Sequence, residues 1–284
     1  MSALHERLAE ARDRFVRAGI PRDEATLDAE VLARHVLQCD RATFLTRGRD
    51  PLPSGFERLF DSLVQRRIAR EPLAYITGHR EFWGLEFDVT PAVLIPRPET
   101  ELIVEEALAA MPVRDVVRRI VDVGTGSGCL AVALAIEFPL ATLVATDSST
   151  AALEVARRNC SRHSITRVSL LHTNLLDGVA GPADLIVSNP PYVPDGDAQS
   201  LPPEVVRFEP AAALFAGPDG LAVIRQLLDN AHRCVADNGR LIVEFGFGEE
   251  AGLRQVAGHT GWIVDHIRPD LQNIPRVAVL RRSS

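Results

Sequence analysis

The period of the apolar positions changes near residue 90. From Ser2 to about Arg70 they recur at helical spacing, as in Leu4, Leu8, Ala11 and Phe15 and again in Leu27, Val31, Leu32 and Val36, so each segment has one apolar face. Gly19 and Pro21 close one helix and open the next, and Pro51 and Pro53 introduce another over about Phe56 to Ile68. Residues 1–73 are therefore expected to form a small helical domain. In Arg80-Glu81-Phe82-Trp83-Gly84-Leu85-Glu86-Phe87-Asp88-Val89, aromatic residues flank a glycine, which predicts a short hairpin and makes 74–90 the connection between domains.

From Thr90 onward, short apolar runs alternate with helical stretches. Strands are predicted at Ile120 to Val123, Thr142 to Thr146, Val168 to His172, Leu185 to Ser188, Arg240 to Phe245, Ile263 to Ile267 and Val277 to Leu280. That alternation predicts an α/β domain over 91–284, doubly wound around a mostly parallel, seven-stranded sheet covered on both faces. Pro194 to Pro203 is polar and proline-rich, and reads as a flexible lid.

Composition narrows the class. Of 284 residues, 46% are hydrophobic and 24% charged, the balance of a chain that buries a sizeable core. The start lacks a signal-peptide core and no apolar run approaches a membrane span, so a cytoplasmic protein with no membrane attachment is expected. Cys39, Cys129, Cys160 and Cys234 form no CxxC or zinc spacing and the histidines form no HExxH, so free, mostly buried thiols and no metal site are expected. The net charge is -7, and every basic residue is an arginine. An acidic chain disfavours an extended nucleic-acid surface. Residues 1–73, however, carry 13 Arg against 12 acids, a net +1, which leaves room for a local basic face.

Two motifs carry the chemistry. Asp122-Val123-Gly124-Thr125-Gly126-Ser127-Gly128 has the strand, glycine-rich turn and helix start of a nucleotide-type cofactor site. A dinucleotide fingerprint would want glycine or alanine where Cys129 stands, which weakens a dehydrogenase reading. Asp147, ending the next strand, suits ribose hydroxyls or the cap of the helix after it. Beyond the third strand, Asn174 and Leu175 could bracket an adenine.

The second motif is Ser188-Asn189-Pro190-Pro191-Tyr192, directly after an apolar run. Proline fixes its own backbone angle and extends the residue before it, so Asn189 and Pro190 belong to a stiff loop whose carbonyls no helix consumes. With the Asn189 side-chain oxygen they make a cluster of acceptors able to hold both hydrogens of a planar NH2 group. Tyr192 adds an aromatic face suited to a flat amide or base and to a nearby sulfonium. Alone, the same residues would be an ordinary Asn-Pro turn.

With these motifs in this order, the chain resembles class I S-adenosylmethionine-dependent methyltransferases, and more narrowly the HemK/PrmC-type release factor glutamine methyltransferases. The narrower likeness rests on Val93-Leu94-Ile95-Pro96-Arg97-Pro98-Glu99-Thr100-Glu101, on Tyr75-Ile76-Thr77-Gly78 with Phe82-Trp83-Gly84, and on Glu209-Pro210 leading to Gly217-Pro218-Asp219-Gly220-Leu221. It implies methyl transfer from S-adenosyl-L-methionine to the side-chain amide nitrogen (N5) of the glutamine in the Gly-Gly-Gln loop of class-1 peptide chain release factors. It further implies that Gly124, Thr125, Gly126, Ser127, Gly128, Asp147, Leu175 and Asn189 bind the cofactor. Asn189, Pro190, Pro191 and Tyr192 would hold the amide, with Asn189, Pro190 and Tyr192 catalytic, Arg97 and Glu99 bordering the substrate, and the whole stretch from Arg97 to Thr100 bordering the site. Arg97 and Glu99 also suit a helix start at Pro98. Glu249 and Asn273 depart from the family pattern, and Asn273 can adopt the left-handed backbone that glycine would have used. The rival is an N-methyltransferase acting on an exocyclic amino group of a nucleic-acid base, which would need base-flipping and target-reading parts that this chain lacks. Residues 1–73 are expected to dock the protein substrate, the alternative being that they only cover an edge of the sheet; no stable nucleic-acid partner is expected, and the oligomeric state is left open with a monomer as the default.

Overall fold

Helical periodicity at the start of the chain becomes, among the described residues, α1 (Ala3–Arg17), α2 (Arg22–Leu37), α3 (Arg41–Arg47), α4 (Phe56–Ile68) and α5 (Leu73–Thr77). The structure is a computed structural model that describes residues 3–47 and 50–283. It divides into two units, one running to Gly78 and including Pro203–Phe208, the other made of 79–202 and the chain from Glu209 onward. Phe15, Leu32, Phe56, Phe60 and Val64 fill the core of the first unit. Arg67 of α4 is buried there, bonded to Asp28 at 2.6 Å and Glu24 at 2.5 Å, and removal of either carboxylate would strand part of its charge. Pro72 opens α5 and Gly78, at φ 81°, stops it, which carries the helical unit five residues beyond the boundary expected at 73.

The second unit begins with a hairpin of β1 (His79–Phe82) and β2 (Leu85–Asp88). Its turn residues Trp83 and Gly84 both have positive φ, the turn geometry that matches the twist of paired strands. Phe82 and Phe87 are fully buried beside Ile103, Leu134 and Phe138, so this hairpin is a core element of the second unit where the sequence suggested a connection.

The sheet domain follows in the order α6 (Glu101–Ala110), β3 (Arg119–Val123), α7 (Cys129–Glu137), β4 (Thr142–Asp147), α8 (Thr150–Arg162), β5 (Val168–His172) and β6 (Ala183–Ser188). Then come α9 (Pro203–Phe208), which belongs to the helical unit, α10 (Ala222–Cys234), β7 (Val235–Glu244), α11 (Glu250–His259), β8 (Trp262–Pro269) and β9 (Pro275–Arg282). The seven strands lie in the order β5-β4-β3-β6-β7-β9-β8, parallel from β3 to β7, with β9 antiparallel to both neighbours. Apolar cores cover both faces. One includes α7, whose residues Cys129 to Ala135 are all buried, and the other includes Ile224, Leu227, Leu228 and Ala231 of α10. Among the described residues no helix is long and apolar enough to cross a membrane.

The chain starts at the central β3, fills the sheet outward on one side through β4 and β5, and returns to β6 on the other. Strand order thus reverses at β3, and the loops after β3, β4, β5 and β6 converge at the carboxyl ends of the strands. That crevice is where open α/β sheets bind ligands. The segment expected as a flexible lid contains a 3-10 turn over Asp195–Ser200, where the Asp195 N–H donates to Gly217 O at 2.9 Å and its carboxylate accepts from Gly217 N at 3.2 Å.

Candidate active site

A cavity of about 400 Å³ opens at that crevice, within the size range of small-molecule sites. The glycine motif forms one wall through Gly124, Thr125, Gly126 and Ser127. Thr146 O accepts from the amides of Gly124 and Thr125, both at 2.9 Å, which fastens the loop to the end of β4. Gly126 N donates to Asp147 Oδ2 at 2.9 Å and Ser149 N to Asp147 Oδ1 at 2.8 Å. Both carboxylate oxygens are thereby fixed in place, and each keeps a lone pair for a ligand hydroxyl. The N-cap of α8 is Ser149, whose hydroxyl accepts from Ala152 N, so Asp147 is free to face the cavity that it lines.

Leu175 and Asn174 form the next stretch of wall. Leu175 has φ 48°, a left-handed conformation that costs a branched-chain residue about 1 kcal/mol or more and is tolerated where the surroundings fix it. Cys129 also reaches the cavity, but burial pushes its thiol up to about 12, which makes it a packing group without nucleophilic character.

The second motif, after the neighbouring strand β6, builds another part of the site. Ser188 Oγ donates to Val123 O at 2.8 Å, locking the ends of β6 and β3 together. Beyond Tyr192, Val193 N donates to Leu214 O at 2.8 Å and Ala216 N returns a bond to Val193 O at 2.9 Å. The Asn-Pro-Pro-Tyr loop is therefore clamped at both ends. Asn189 and Pro191 line the cavity. Asn189 Nδ2 donates to Thr100 Oγ1 at 2.9 Å.

Five residues singled out in the sequence lie off the cavity wall: Gly128, Pro190, Tyr192, Arg97 and Glu99. Gly128, at φ 81°, caps α7. Pro190 is buried. Tyr192 donates its hydroxyl to Glu244 Oε1 at 3.0 Å, and the Glu244 charge, with burial, holds the phenol well above its ordinary pKa. Arg97 Nη2 pairs with Glu209 Oε1 at 2.6 Å, while Glu209 Oε2 accepts from Ile95 N at 3.1 Å. Glu209 thus staples the Val93 to Pro98 strand of chain to the Pro210 loop, and Leu94, Pro96, Pro210 and Ala213 from those two segments form cavity wall.

Three further groups stand beside the site: Thr100 and Asp122, which lie within the sequence motifs, and Glu244, for which the sequence left a strand-end role and substrate contact both open. Thr100 lines the cavity and is buried, and its hydroxyl donates to Glu244 Oε2 at 2.7 Å. Glu244, at the end of β7, is 1% exposed. Asp122, at the foot of the glycine loop, accepts from Thr125 Oγ1 at 2.6 Å, and burial pushes it up to about 7. Both acids sit at strand ends, and what the sequence did not show is the hydroxyl that each one holds.

The family profile described as the PrmC N-terminal domain matches residues 6–78, and that of the methyltransferase small domain matches residues 100–207. The release factor glutamine methyltransferase of Deinococcus radiodurans is 39% identical over 282 residues, covering 99% of each chain. That of Xylella fastidiosa strain Temecula1 is 41% identical over 256 residues, covering 90% of this chain and 92% of the relative. Among solved structures, a methyltransferase from Pyrococcus furiosus aligns with a TM-score of 0.52 at 18% identity, covering 80% of this chain and 99% of that one. The 16S rRNA N2 G1207 methyltransferase of T. thermophilus, solved with AdoMet and guanosine, aligns at 0.50 with 19% identity, covering 72% of this chain and 50% of that one. At such identities the structural likeness speaks to the fold alone.

Proposed function

Because the chain belongs to the family of S-adenosylmethionine-dependent release factor glutamine methyltransferases, we propose that the clamped Asn-Pro-Pro-Tyr loop is where it receives the glutamine side chain. The enzyme methylates the glutamine of a peptide chain release factor, with S-adenosyl-L-methionine as the donor. When bound, the donor supplies an electrophilic methyl group on a sulfonium.

The residues at the cavity fit such a donor. The turn from Gly124 to Ser127 brings backbone close to the ligand, Asp147 presents a fixed carboxylate to ribose hydroxyls, and Leu175 offers an apolar side to the base. Gly128 contributes by letting α7 start where it does.

On the acceptor side, an amide nitrogen is a poor nucleophile because its lone pair is delocalised into the carbonyl. Rate must come from holding that nitrogen in line with the methyl group at about 3 Å. In our reading Asn189 Oδ1 and the Pro190 carbonyl accept its two hydrogens, orient the NH2 and stabilise the positive charge that grows on it. Pro191 and Tyr192 shape the slot, and Arg97 and Glu99 act on it indirectly, through Glu209 and Glu244. The methylated nitrogen, transiently cationic, then gives one proton to water or a nearby acceptor. The single observation that carries this assignment is that Asn189 and the glycine loop line one cavity, with the Asn189 nitrogen already committed to Thr100.

We assign class-1 release factors as the substrates, with N5 as the methylated atom. The reading is supported by the family relationship, and the glycines before the glutamine of a Gly-Gly-Gln loop leave that side chain free to enter the cavity. A net charge of -7 supports a protein substrate over a stably bound nucleic acid.

Transfer of labelled methyl from S-adenosylmethionine tests this directly. A purified class-1 release factor, its Gly-Gly-Gln glutamine-to-alanine variant, duplex DNA and ribosomal RNA are offered in parallel. Label on the normal release factor alone is the expected result, and label on nucleic acid alone overturns the substrate assignment.

A further inference from the structure

Four side chains form one line of hydrogen bonds behind the acceptor slot. Tyr192 Oη donates to Glu244 Oε1 at 3.0 Å, Thr100 Oγ1 donates to Glu244 Oε2 at 2.7 Å, and Asn189 Nδ2 donates to Thr100 Oγ1 at 2.9 Å. They come from three places in the fold: Asn189 and Tyr192 from the loop after β6, Glu244 from the end of β7 and Thr100 from the turn before α6.

The direction of this line follows from counting protons. A threonine hydroxyl has one hydrogen and two lone pairs. With its hydrogen spent on Glu244, Thr100 can only accept from Asn189, so the asparagine must present its NH2 to Thr100 and is left with its oxygen for the cavity. An ionised carboxylate only accepts, which keeps both Tyr192 and Thr100 pointing at it. A protonated Glu244 is itself a donor. Its proton placed on Thr100 Oγ1 turns the Thr100 hydrogen toward Asn189, whose oxygen then faces Thr100 and whose NH2 faces the cavity. Two NH2 groups would confront one another there, and the incoming amide would lose an acceptor.

We propose that ionised Glu244 sets the direction of this line and, through Thr100, turns the Asn189 side-chain oxygen toward the amide to be methylated, so that Glu244 and Thr100 are positioning residues for the reaction. The inference rests on the reading of Asn189 given above, and adds to it the device that fixes which end of the asparagine amide the substrate meets.

Glu244 is placed to lose this function as pH falls. Burial pushes its carboxyl up to about 7, against the hydrogen bonds from Thr100 and Tyr192, which lower it. Glu99, in the same turn as Thr100, raises it further, and Arg276 of β9 lowers it. Arg276 is itself held by Asp270 at 3.0 Å. The substrate amide does not titrate in this range.

The experiment is single-turnover methyl transfer to a class-1 release factor at saturating cofactor, from about pH 5.5 to 8.5, for wild type, Thr100→Ser and Thr100→Val, with cofactor affinity measured on each. Serine keeps the hydroxyl and valine replaces it with a methyl of the same shape. Expected are a wild-type rate that falls toward acid, a Thr100→Ser rate that follows the same profile, and a Thr100→Val rate lower by about tenfold or more with no acid limb. A Thr100→Val enzyme as fast as wild type overturns the inference, as does one that is slow but keeps the wild-type acid limb. A wild type that leaves the release factor unmethylated at every pH overturns the substrate reading and the inference with it.

Discussion

A Cβ placed on Gly128 would lie 3.1 Å from Ala156 Cβ and 3.2 Å from its Cα. The third glycine of the cofactor motif is therefore the point where α7 packs against α8, and it also has a φ of 81°. Gly124 has φ 73° and open space around it. One motif thus serves two purposes, helix packing at its end and ligand approach at its start.

Gly128→Ala is expected to cost about 2–4 kcal/mol of stability, from left-handed strain plus overpacking. Gly124→Ala is expected to cost only about 1 kcal/mol, from its φ, while weakening cofactor binding where the new methyl meets the ligand. Denaturant unfolding and cofactor titration of both variants separate the two roles. Equal stability losses would show that the packing contact is absent.

Asp147→Asn replaces one acceptor oxygen with an NH2 group. Gly126 N and Ser149 N now donate to opposite oxygens, so the amide cannot satisfy both, and one backbone N–H loses its partner. Cofactor affinity is expected to fall by about tenfold to a hundredfold, from a displaced loop and a lost ribose acceptor. Calorimetric titration with S-adenosylhomocysteine measures it without turnover, and unchanged affinity would remove Asp147 from the cofactor site.

Arg97 is half-exposed, but the carboxylate it pairs with is almost fully buried, with 1% of the Glu209 side chain accessible. Arg97→Ala leaves that charge with only Ile95 N, and is expected to destabilise the second unit by about 1–3 kcal/mol, less than a fully buried pair because the guanidinium meets solvent. Arg97→Ala with Glu209→Gln is expected to recover most of this. If Arg97 instead contacts the release factor, Arg97→Ala raises KM for the protein substrate at unchanged stability, so thermal unfolding and steady-state kinetics on the same samples decide between the two.

How much of this was legible in the sequence depends on the range of the interaction. Every strand of the large sheet could be read from its apolar run, the inner ones because a strand covered on both faces needs little beyond its own residues, and the less buried edge strands β5 and β8 from shorter apolar patterns. The strand predicted from Arg240 begins at Val235, because Asp237, Asn238 and Gly239 look like a turn and instead face a register shift between Ala183 and Leu185. Asn273 was legible too: it has φ 61°, the left-handed backbone expected where glycine is replaced. Thr100 and Glu244 lie far apart in the chain, and nothing local in either says that one hydroxyl joins them. The same holds for Arg97 and Glu209, whose motifs were visible separately while their pairing was not.

Glu249 offers a test of buried charge away from the reacting atoms. Its Oε2 accepts from Gly246 N at 2.9 Å, and desolvation pushes its carboxyl up to about 7, with the charge of Asp219 adding to the shift. A carboxyl whose pKa is higher in the folded state than in the unfolded chain favours folding while it is protonated. That contribution is complete below the unfolded value near 4.5 and is lost as pH rises through about 7. Asp122 and Glu244, both raised to about 7, act in the same direction, so these three groups together make the protein lose stability between mildly acidic and neutral pH. Glu249→Gln keeps an acceptor for Gly246 N and removes one of the three titrations. Because Glu249 is half-exposed, solvent screening reduces the effect to about 1 kcal/mol. The variant is expected to match wild type near pH 5 and to exceed it by about that amount near pH 8. Chemical unfolding at both pH values measures the difference, and a variant equally stable to wild type at pH 8 would mean that Glu249 is ionised at no cost in the folded protein.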